Sequence, residues 1–221
     1  DKDAKDIEKL KQRTDQNLAG KSEENYSPSD WFDKALTAYY SKNYDESISY
    51  LDKVISDSNS SDQLAAQALF NKGVVLGELK QAEKEVAVYE NLVTRFGDSN
   101  ELALQEQVAK ALVNQGWSLE KLEQSEKAVV IYEKVVSRFG ERDELALQET
   151  IAKALLNQGA VLSRDGKASA ALKIGDDLVS RFGESSEPVL QKVISAALAN
   201  AVEYSLLLCL ILTIYCLLVC L

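Results

Sequence analysis

Two consecutive stretches decide the fold of this chain: ELALQEQVAKALVNQGWSLEKLEQSEKAVVIYEKVVSRFGERD at residues 101–143 and ELALQETIAKALLNQGAVLSRDGKASAALKIGDDLVSRFGESS at residues 144–186. They are identical at 22 of 43 positions. The triplet Arg-Phe-Gly near the end of both, at 138–140 and 181–183, also occurs at 95–97, so the triplets lie 43 residues apart. A fixed period of this length is the signature of a repeat architecture, and we infer a duplicated unit.

Each unit carries the pattern of two amphipathic helices, which we call helix A and helix B. In the unit from residue 101, residues spaced four, four and three apart form one helical stripe: Val108, Leu112, Gly116 and Leu119. The second half contains another stripe: Ala128, Ile131, Tyr132, Val135 and Phe139. Because only the short polar segment KLEQSE (121–126) separates them, the two helices are predicted to form an antiparallel hairpin.

The Arg-Phe-Gly triplet is predicted to end helix B. Arg138 in the last turn interacts favourably with the negative end of the helix dipole, and Phe139 is expected to be buried. We expect Gly140 to adopt the left-handed conformation that commonly terminates helices. The triplet is therefore interpreted as a helix stop rather than a binding motif.

One glycine recurs in the middle of helix A, at Gly73, Gly116 and Gly159. A glycine inside a helix costs up to about 1 kcal/mol relative to alanine, so its presence needs a compensating reason. Ala128 and Ala171 follow twelve residues after Gly116 and Gly159. We expect these small residues to face the glycines where the two helices approach closely.

At this point the chain resembles the tetratricopeptide repeat family, in which a small residue early in helix A is followed by an alanine and an aromatic residue in helix B. Gly116, Ala128 and Tyr132 stand at those places, and the segment WFDKALTAYYSKNYDESISYLDKV also fits, through Trp31, Ala35, Tyr39 and Tyr44. The resemblance implies an all-α fold, a right-handed solenoid of antiparallel helix hairpins. An apolar C-terminal helix is expected to follow it.

The chain departs from the family pattern at several points. Its period is 43 where the family norm is 34. Glu85 replaces the helix B alanine of one unit, and Gly175 replaces the aromatic residue of another. The extra residues are expected to lengthen helix A.

We divide the chain into three parts. Residues 1–28 form a polar N-terminal segment with a weak polar helix, residues 29–200 the repeat domain, and residues 201–221 an apolar tail. Within the domain the units are 29–57, 62–100, 101–143, 144–186 and a partial unit at 187–200.

The tail contains SLLLCLILTIYCLLVCL (205–221), seventeen residues without a charge. As a helix it would span about 25 Å, at the lower limit for crossing a hydrocarbon layer of about 30 Å. It is a candidate transmembrane anchor, which implies a membrane-associated protein with a soluble repeat domain. The alternatives are a helix buried in the fold or in a homo-oligomer, and a tail foreign to the domain. Without an anchor the location would be cytoplasmic.

Composition excludes several function classes. The net charge of -10 disfavours nucleic acid, which is bound through clustered Lys and Arg. Histidine is absent from the sequence, and the three cysteines, Cys209, Cys216 and Cys220, all lie in the tail. We therefore expect no enzyme activity, no catalytic residue, no metal and no cofactor.

The resemblance implies that helix A faces line a concave groove that binds a peptide or helix of another protein. Lys110 and Asn114 are four residues apart, as are Lys153 and Asn157, so each pair shares a helix face. With Asn71 they are predicted to form a polar ladder whose amides suit a peptide backbone and whose ammonium groups suit carboxylates. Alternatively, the asparagines bond neighbouring helices and the lysines are merely solvated.

Trp117 is the remaining groove candidate. It directly follows Gly116, where the other units carry Val74 and Ala160. It is either a groove anchor or a filler of the core. The function predicted is a non-catalytic interaction scaffold, with two alternatives: a self-assembling structural module, and the sensor part of a larger signalling protein.

Overall fold

A computed structural model describes residues 2–199, and over this range the secondary structure is helical. Two compact units divide after Gln124. The first contains α1 (Lys2–Leu18), a short 3₁₀ turn (Glu23–Asn25), α2 (Pro28–Tyr40), α3 (Tyr44–Ser56), α4 (Asp62–Glu78), α5 (Ala82–Phe96) and α6 (Leu102–Lys121). The second contains α7 (Ser125–Phe139), α8 (Leu145–Arg164), α9 (Ala168–Phe182) and a helix at residues 188–199.

Hairpins build the first unit. Helices α2 and α3 pack together, as do α4 and α5, and α3 and α5 pack against the next helix A, α4 and α6 respectively. Helix α4 also contacts both α2 and α6, so neighbouring A helices lie side by side. The core of the first hairpin and its neighbour consists of Trp31, Ala35, Leu51, Val54, Ala68 and Val75.

The opening segment forms the polar helix expected for it, and α1 packs against α2. Thr14 is buried, and its hydroxyl oxygen lies 3.2 Å from that of Thr37. Beside this contact, the guanidinium of Arg13 pairs with Asp33 at 3.0 Å. Helix α1 thus covers the side of α2 that would otherwise begin the repeat array.

A capping box sets the start of α2. The Ser27 hydroxyl accepts the Asp30 backbone N–H, the Asp30 carboxylate accepts the Ser27 N–H, and Pro28 occupies the first turn. Burial alone would raise the pKa of Asp30. Hydrogen bonds from Ser27 and Lys21 outweigh burial and hold this pKa below its usual value. The stability that the charged carboxylate contributes is therefore lost as pH falls through the lowered pKa.

In the second unit, α7 packs against α8 and α8 forms a hairpin with α9. The phenylalanines of the three Arg-Phe-Gly triplets are buried as predicted: Phe96, Phe139 and Phe182. The triplet also makes a contact that a helix stop alone does not require. The Arg181 guanidinium donates to the carbonyl of Gly140, in the preceding triplet, at 3.1 Å.

The left-handed conformation predicted for Gly140 is wrong. None of the three triplet glycines has a positive φ; Gly97 and Gly183 lie at φ -56° and -59°. Close approach explains glycine here, because a Cβ on Gly140 would stand 2.5 Å from the carbonyl oxygen of Val136. The helix therefore ends in right-handed turns with no room for a side chain.

Positive φ angles occur instead at the turn between helix A and helix B. Lys42, Lys80, Glu123 and Gly166 have φ 62°, 57°, 57° and 75°, and all four stand seven residues after the small residue in mid-helix A. Only the last is glycine, although glycine adopts this conformation most easily. The geometry of the hairpin, rather than the local residue, sets the turn.

The mid-helix glycines serve two different contacts. A Cβ on Gly159 would lie 3.9 Å from the carbonyl oxygen of Ala171, which agrees with the predicted pairing of small residues. A Cβ on Gly73 would instead lie 2.5 Å from Cζ of Tyr89, sixteen residues further on. In α4 and α5, the glycine thus makes room for a buried aromatic ring.

Within residues 2–199, no helix is both long and apolar enough to span a membrane. The apolar C-terminal helix expected at residues 205–221 lies outside the described residues.

Candidate protein-binding surface

The A helices of the first unit present a shared surface, which we call the α2–α4–α6 face. Because α4 contacts both α2 and α6, repeat-equivalent residues fall in columns across it. One column stands one residue after the mid-helix small residue: Leu36, Val74 and Trp117. A second stands two residues before it: Asp33, Asn71 and Asn114. The face therefore carries an apolar column beside a polar one.

A small cleft opens on this face between the first two A helices. Its walls are mainly apolar, with Asn71 supplying an amide: Ala35, Leu36, Tyr39, Ser47, Leu51, Asn71, Val74 and Val75. The Ser47 hydroxyl donates to the buried carbonyl of Ala35 at 2.9 Å, so its hydrogen is already used within the fold. The cleft thus places apolar walls next to a hydrogen-bonding amide.

The structure separates two asparagines that the sequence pattern treats as equivalent. The Asn114 amide donates to the hydroxyl of Tyr89 at 3.1 Å, and Tyr89 is fully buried. Burial raises the pKa of the Tyr89 phenol, and the hydrogen bond from Asn114 only partly opposes this. Asn114 thus bonds a neighbouring helix. The residue equivalent to Tyr89 beside Asn71 is Leu51, which offers no hydroxyl, and Asn71 instead lines the cleft.

Trp117 is not a core filler, because 55% of its surface is exposed. The ammonium nitrogen of Lys121 lies 3.8 Å from the centroid of its ring, within the range of a cation–π contact. The same nitrogen lies 3.4 Å from a carboxylate oxygen of Glu85. An exposed indole is therefore held in place on the α2–α4–α6 face.

The other predicted groove residues lie on two helices. Lys110 is half-buried on α6, two turns before Trp117. Lys153 and Asn157 lie on α8 in the second unit, where Lys153 is exposed and pairs with Glu149 at 2.6 Å. Asn157 is half-buried. Within the first unit, the α2–α4–α6 face brings together Asn71, Lys110, Asn114 and Trp117.

Sequence reasoning missed the contributors Tyr39, Glu85 and Lys121. The sequence pattern indicates Tyr39 only as a family position in the hairpin, although it also lines the cleft. The sequence pattern marks Glu85 only as a departure from alanine. The signal that points to the Glu85–Lys121 pair is that two departures from the repeat, Glu85 and Gly77, lie opposite one another.

Among residues 2–199, no group of three Cys, Asp or Glu side chains is arranged to hold a metal ion. The α2–α4–α6 face combines an apolar column, an exposed aromatic ring and an amide, and such a combination suits association with another protein chain.

Consecutive antiparallel hairpins with a recurring small residue in helix A define a helical-hairpin repeat protein. The tetratricopeptide repeat model matches residues 67–99 and 110–141. Two segments of the chain thus match the tetratricopeptide repeat, and repeats of this kind are modules of protein–protein interaction.

One solved structure with a similar fold is the crystal structure of nearly identical TPR-like repeats of a candidate kinesin light chain from Podosopora anserina. It aligns with a TM-score of 0.52 and 15% identity, covering 88% of this chain and 86% of the other. At this identity the likeness establishes the fold alone. No curated protein matches the sequence.

Proposed function

We propose that the protein is a non-catalytic interaction scaffold that holds a peptide or helix of a partner protein on the α2–α4–α6 face. The observation that carries the proposal is the exposure of Trp117 at the end of the apolar column begun by Leu36 and Val74. An exposed tryptophan in an ordered position is the residue type that most often dominates a protein interface.

The cleft supplies the second part of the proposal. An apolar side chain of the partner enters between Leu36 and Val74, where it loses water-exposed surface. The Asn71 amide, which can both donate and accept, bonds the backbone of the partner. Asn114 contributes indirectly, since its amide is already bonded to Tyr89.

A peptide-display selection on the full chain tests this proposal. Trp117→Ala and Asn71→Ala are expected to weaken the selected peptides, the first by about 30-fold or more, as for an interface hot spot. Asn157→Ala is the matched control for Asn71→Ala, because it changes the repeat-equivalent position outside the α2–α4–α6 face, and Lys153→Ala is a second control on the same helix, α8. All four variants should keep the helical circular dichroism of the parent.

Two outcomes would contradict the proposal. Peptides that bind the Trp117→Ala variant as tightly as the parent would remove the α2–α4–α6 face as the site. Equal losses in the α8 controls would place the binding surface elsewhere in the array.

We further propose that residues 205–221 tether the scaffold to a membrane. The support is their uncharged sequence and a length at the lower limit for crossing a bilayer. Flotation with liposomes should carry the full chain upward and leave behind a chain ending at residue 200. If both chains stay at the bottom, the tether is excluded, and a defined oligomer of the full chain would favour self-assembly through the tail.

A further inference from the structure

An ion pair holds the indole of Trp117 on the α2–α4–α6 face. The Lys121 ammonium lies 3.8 Å from the ring centroid of Trp117 and 3.4 Å from the carboxylate of Glu85. All three residues belong to the first compact unit. Glu85 lies on helix B of one repeat, whereas Lys121 and Trp117 lie on helix A of the next.

Glu85 occupies a position where the other units carry small residues: Ser47, Ala128 and Ala171. Its side chain is only 4% exposed. Gly77 makes the space, because a Cβ there would stand 3.1 Å from a carboxylate oxygen of Glu85. The residues equivalent to Gly77 in the other units are all larger: Tyr39, Glu120 and Ser163. Two departures from the repeat thus fit one another.

Packing alone does not explain this arrangement. Burying a carboxylate carries a desolvation penalty, and an ion pair in the interior often adds no stability over apolar residues of similar size. Small residues fill the same position in three other repeats. The departures at Gly77, Glu85 and Trp117 instead meet at a single place on the face, next to Lys121.

We propose that Glu85 is a positioning and specificity residue for the partner site at Trp117. It fixes the Lys121 ammonium against the indole and balances its charge. The site therefore selects an apolar side chain of the partner rather than an acidic one. The specificity part rests on the proposed function, whereas the positioning part does not.

The Lys121 ammonium already lies against the indole, so this contact is satisfied without a cationic side chain from the partner. Because Glu85 neutralises Lys121, the site does not attract carboxylates through it. Lys110 lies seven residues, or about 10 Å of helix, from Trp117 and acts separately. What remains at Trp117 is exposed apolar surface.

Fluorine NMR on the full chain labelled with 5-fluorotryptophan tests the positioning. The chain has two tryptophans, and the signal that disappears in Trp117→Phe is that of Trp117. Glu85→Ala should move the Trp117 signal toward that of the free amino acid, while the signal of buried Trp31 stays in place. Glu85→Gln keeps an oxygen that accepts from Lys121, so the Trp117 signal should move less. An unmoved Trp117 signal in both variants would overturn the positioning role.

Peptide display tests the specificity. The parent should enrich apolar residues without enriching Asp or Glu, whereas Glu85→Ala and Glu85→Gln should bind acidic peptides about 3-fold to 10-fold better than the parent does. Glu83→Ala is the matched control, since it removes an equal charge from the exposed side of α5. It should select like the parent.

The outcomes separate the two proposals. Identical selections by the parent and both Glu85 variants would overturn the specificity role. An equal shift toward acidic peptides with Glu83→Ala would also overturn it, because the shift would then follow from net charge alone. If the parent selects no peptide, the proposed function and the specificity role both fail. The fluorine spectra still decide whether Glu85 positions Trp117. If Glu85→Ala does not fold, Glu85→Gln carries both tests.

Discussion

The hairpins α4–α5 and α8–α9 follow the same repeat pattern, but their interiors differ. In α4–α5, five residues of helix B are buried: Ala82, Glu85, Tyr89, Leu92 and Phe96. In α8–α9, only two residues of helix B are buried, Leu178 and Phe182. The Tyr89 position is occupied in α9 by Gly175, where a Cβ would meet no atom within 4 Å. One spacing of glycines and apolar residues thus supports both a filled hairpin and an open one.

The contrast teaches that the repeat pattern specifies the hairpin but not which side chains fill its interior. In α4–α5 the interior contains Tyr89, which bonds Asn114 of the next helix A, and Glu85, which pairs with Lys121 of that same helix. Both features join the hairpin to α6, which carries Trp117. The hairpin with the most departures from the pattern is therefore the one that supports the candidate surface.

The largest expected effect is that of Gly73→Ala. The added methyl would meet the ring of buried Tyr89, and overpacking of this kind costs about 1–3 kcal/mol, more than the gain in helix propensity. We expect a net loss of about 1–2 kcal/mol in urea unfolding. Gly159→Ala, at the same repeat position but with 3.7 Å to its nearest neighbour, Ile174, should be neutral or stabilising. If both variants lose stability alike, the two hairpins do not differ as described.

Tyr89→Phe should cost about 1–1.5 kcal/mol, because it leaves the half-buried Asn114 amide without its partner. A double-mutant cycle with Asn114→Ala measures the bond itself. A coupling energy near zero would show that the hydroxyl and the amide do not interact, and would return Asn114 to the set of free groove residues.

Gly175→Ala should stabilise α9 by about 0.5–1 kcal/mol, since the open space around this position accepts a methyl group and alanine favours the helix. Thermal or urea unfolding of the full chain measures the change. A loss of stability would mean that the α8–α9 hairpin is packed more tightly than the geometry indicates.

The smallest expected effect concerns the turns. Lys80→Gly should stabilise the α4–α5 hairpin by about 0.5 kcal/mol, because φ 57° strains a residue with a side chain, and glycine's greater freedom when unfolded offsets part of the gain. Gly166→Ala, in the equivalent turn of α8–α9, should act in the opposite direction. Changes of equal sign would show that the two turns are not equivalent.

Much of the fold could be predicted because it depends on spacing alone. The 43-residue period, the paired stripes and the burial of the triplet phenylalanines follow from which side chains share a helix face. The conformation of Gly140 could not be predicted this way. Glycine suits both a positive φ and a close approach, and only the position of the Val136 carbonyl shows that the second reason applies.

The candidate site was predictable in part. The sequence pointed to Asn71, Asn114 and Trp117, yet the difference between the two asparagines depends on whether helix B opposite carries Tyr89 or Leu51. Trp117 stands next to a buried glycine, at the edge between the helix interior and the surface. A periodic pattern does not decide such a position, because one residue turns the helix by only about 100°.

The bonds from Asn114 to Tyr89 and from Lys121 to Glu85 cross the boundary between two repeats. In a repeat array, stability is a sum of intrinsic terms and nearest-neighbour terms, and contacts across a boundary raise the second kind. Opening of α5 therefore removes the partners of Asn114 and Lys121 on α6. Amide hydrogens of α5 and α6 should accordingly exchange with solvent as one cooperative block.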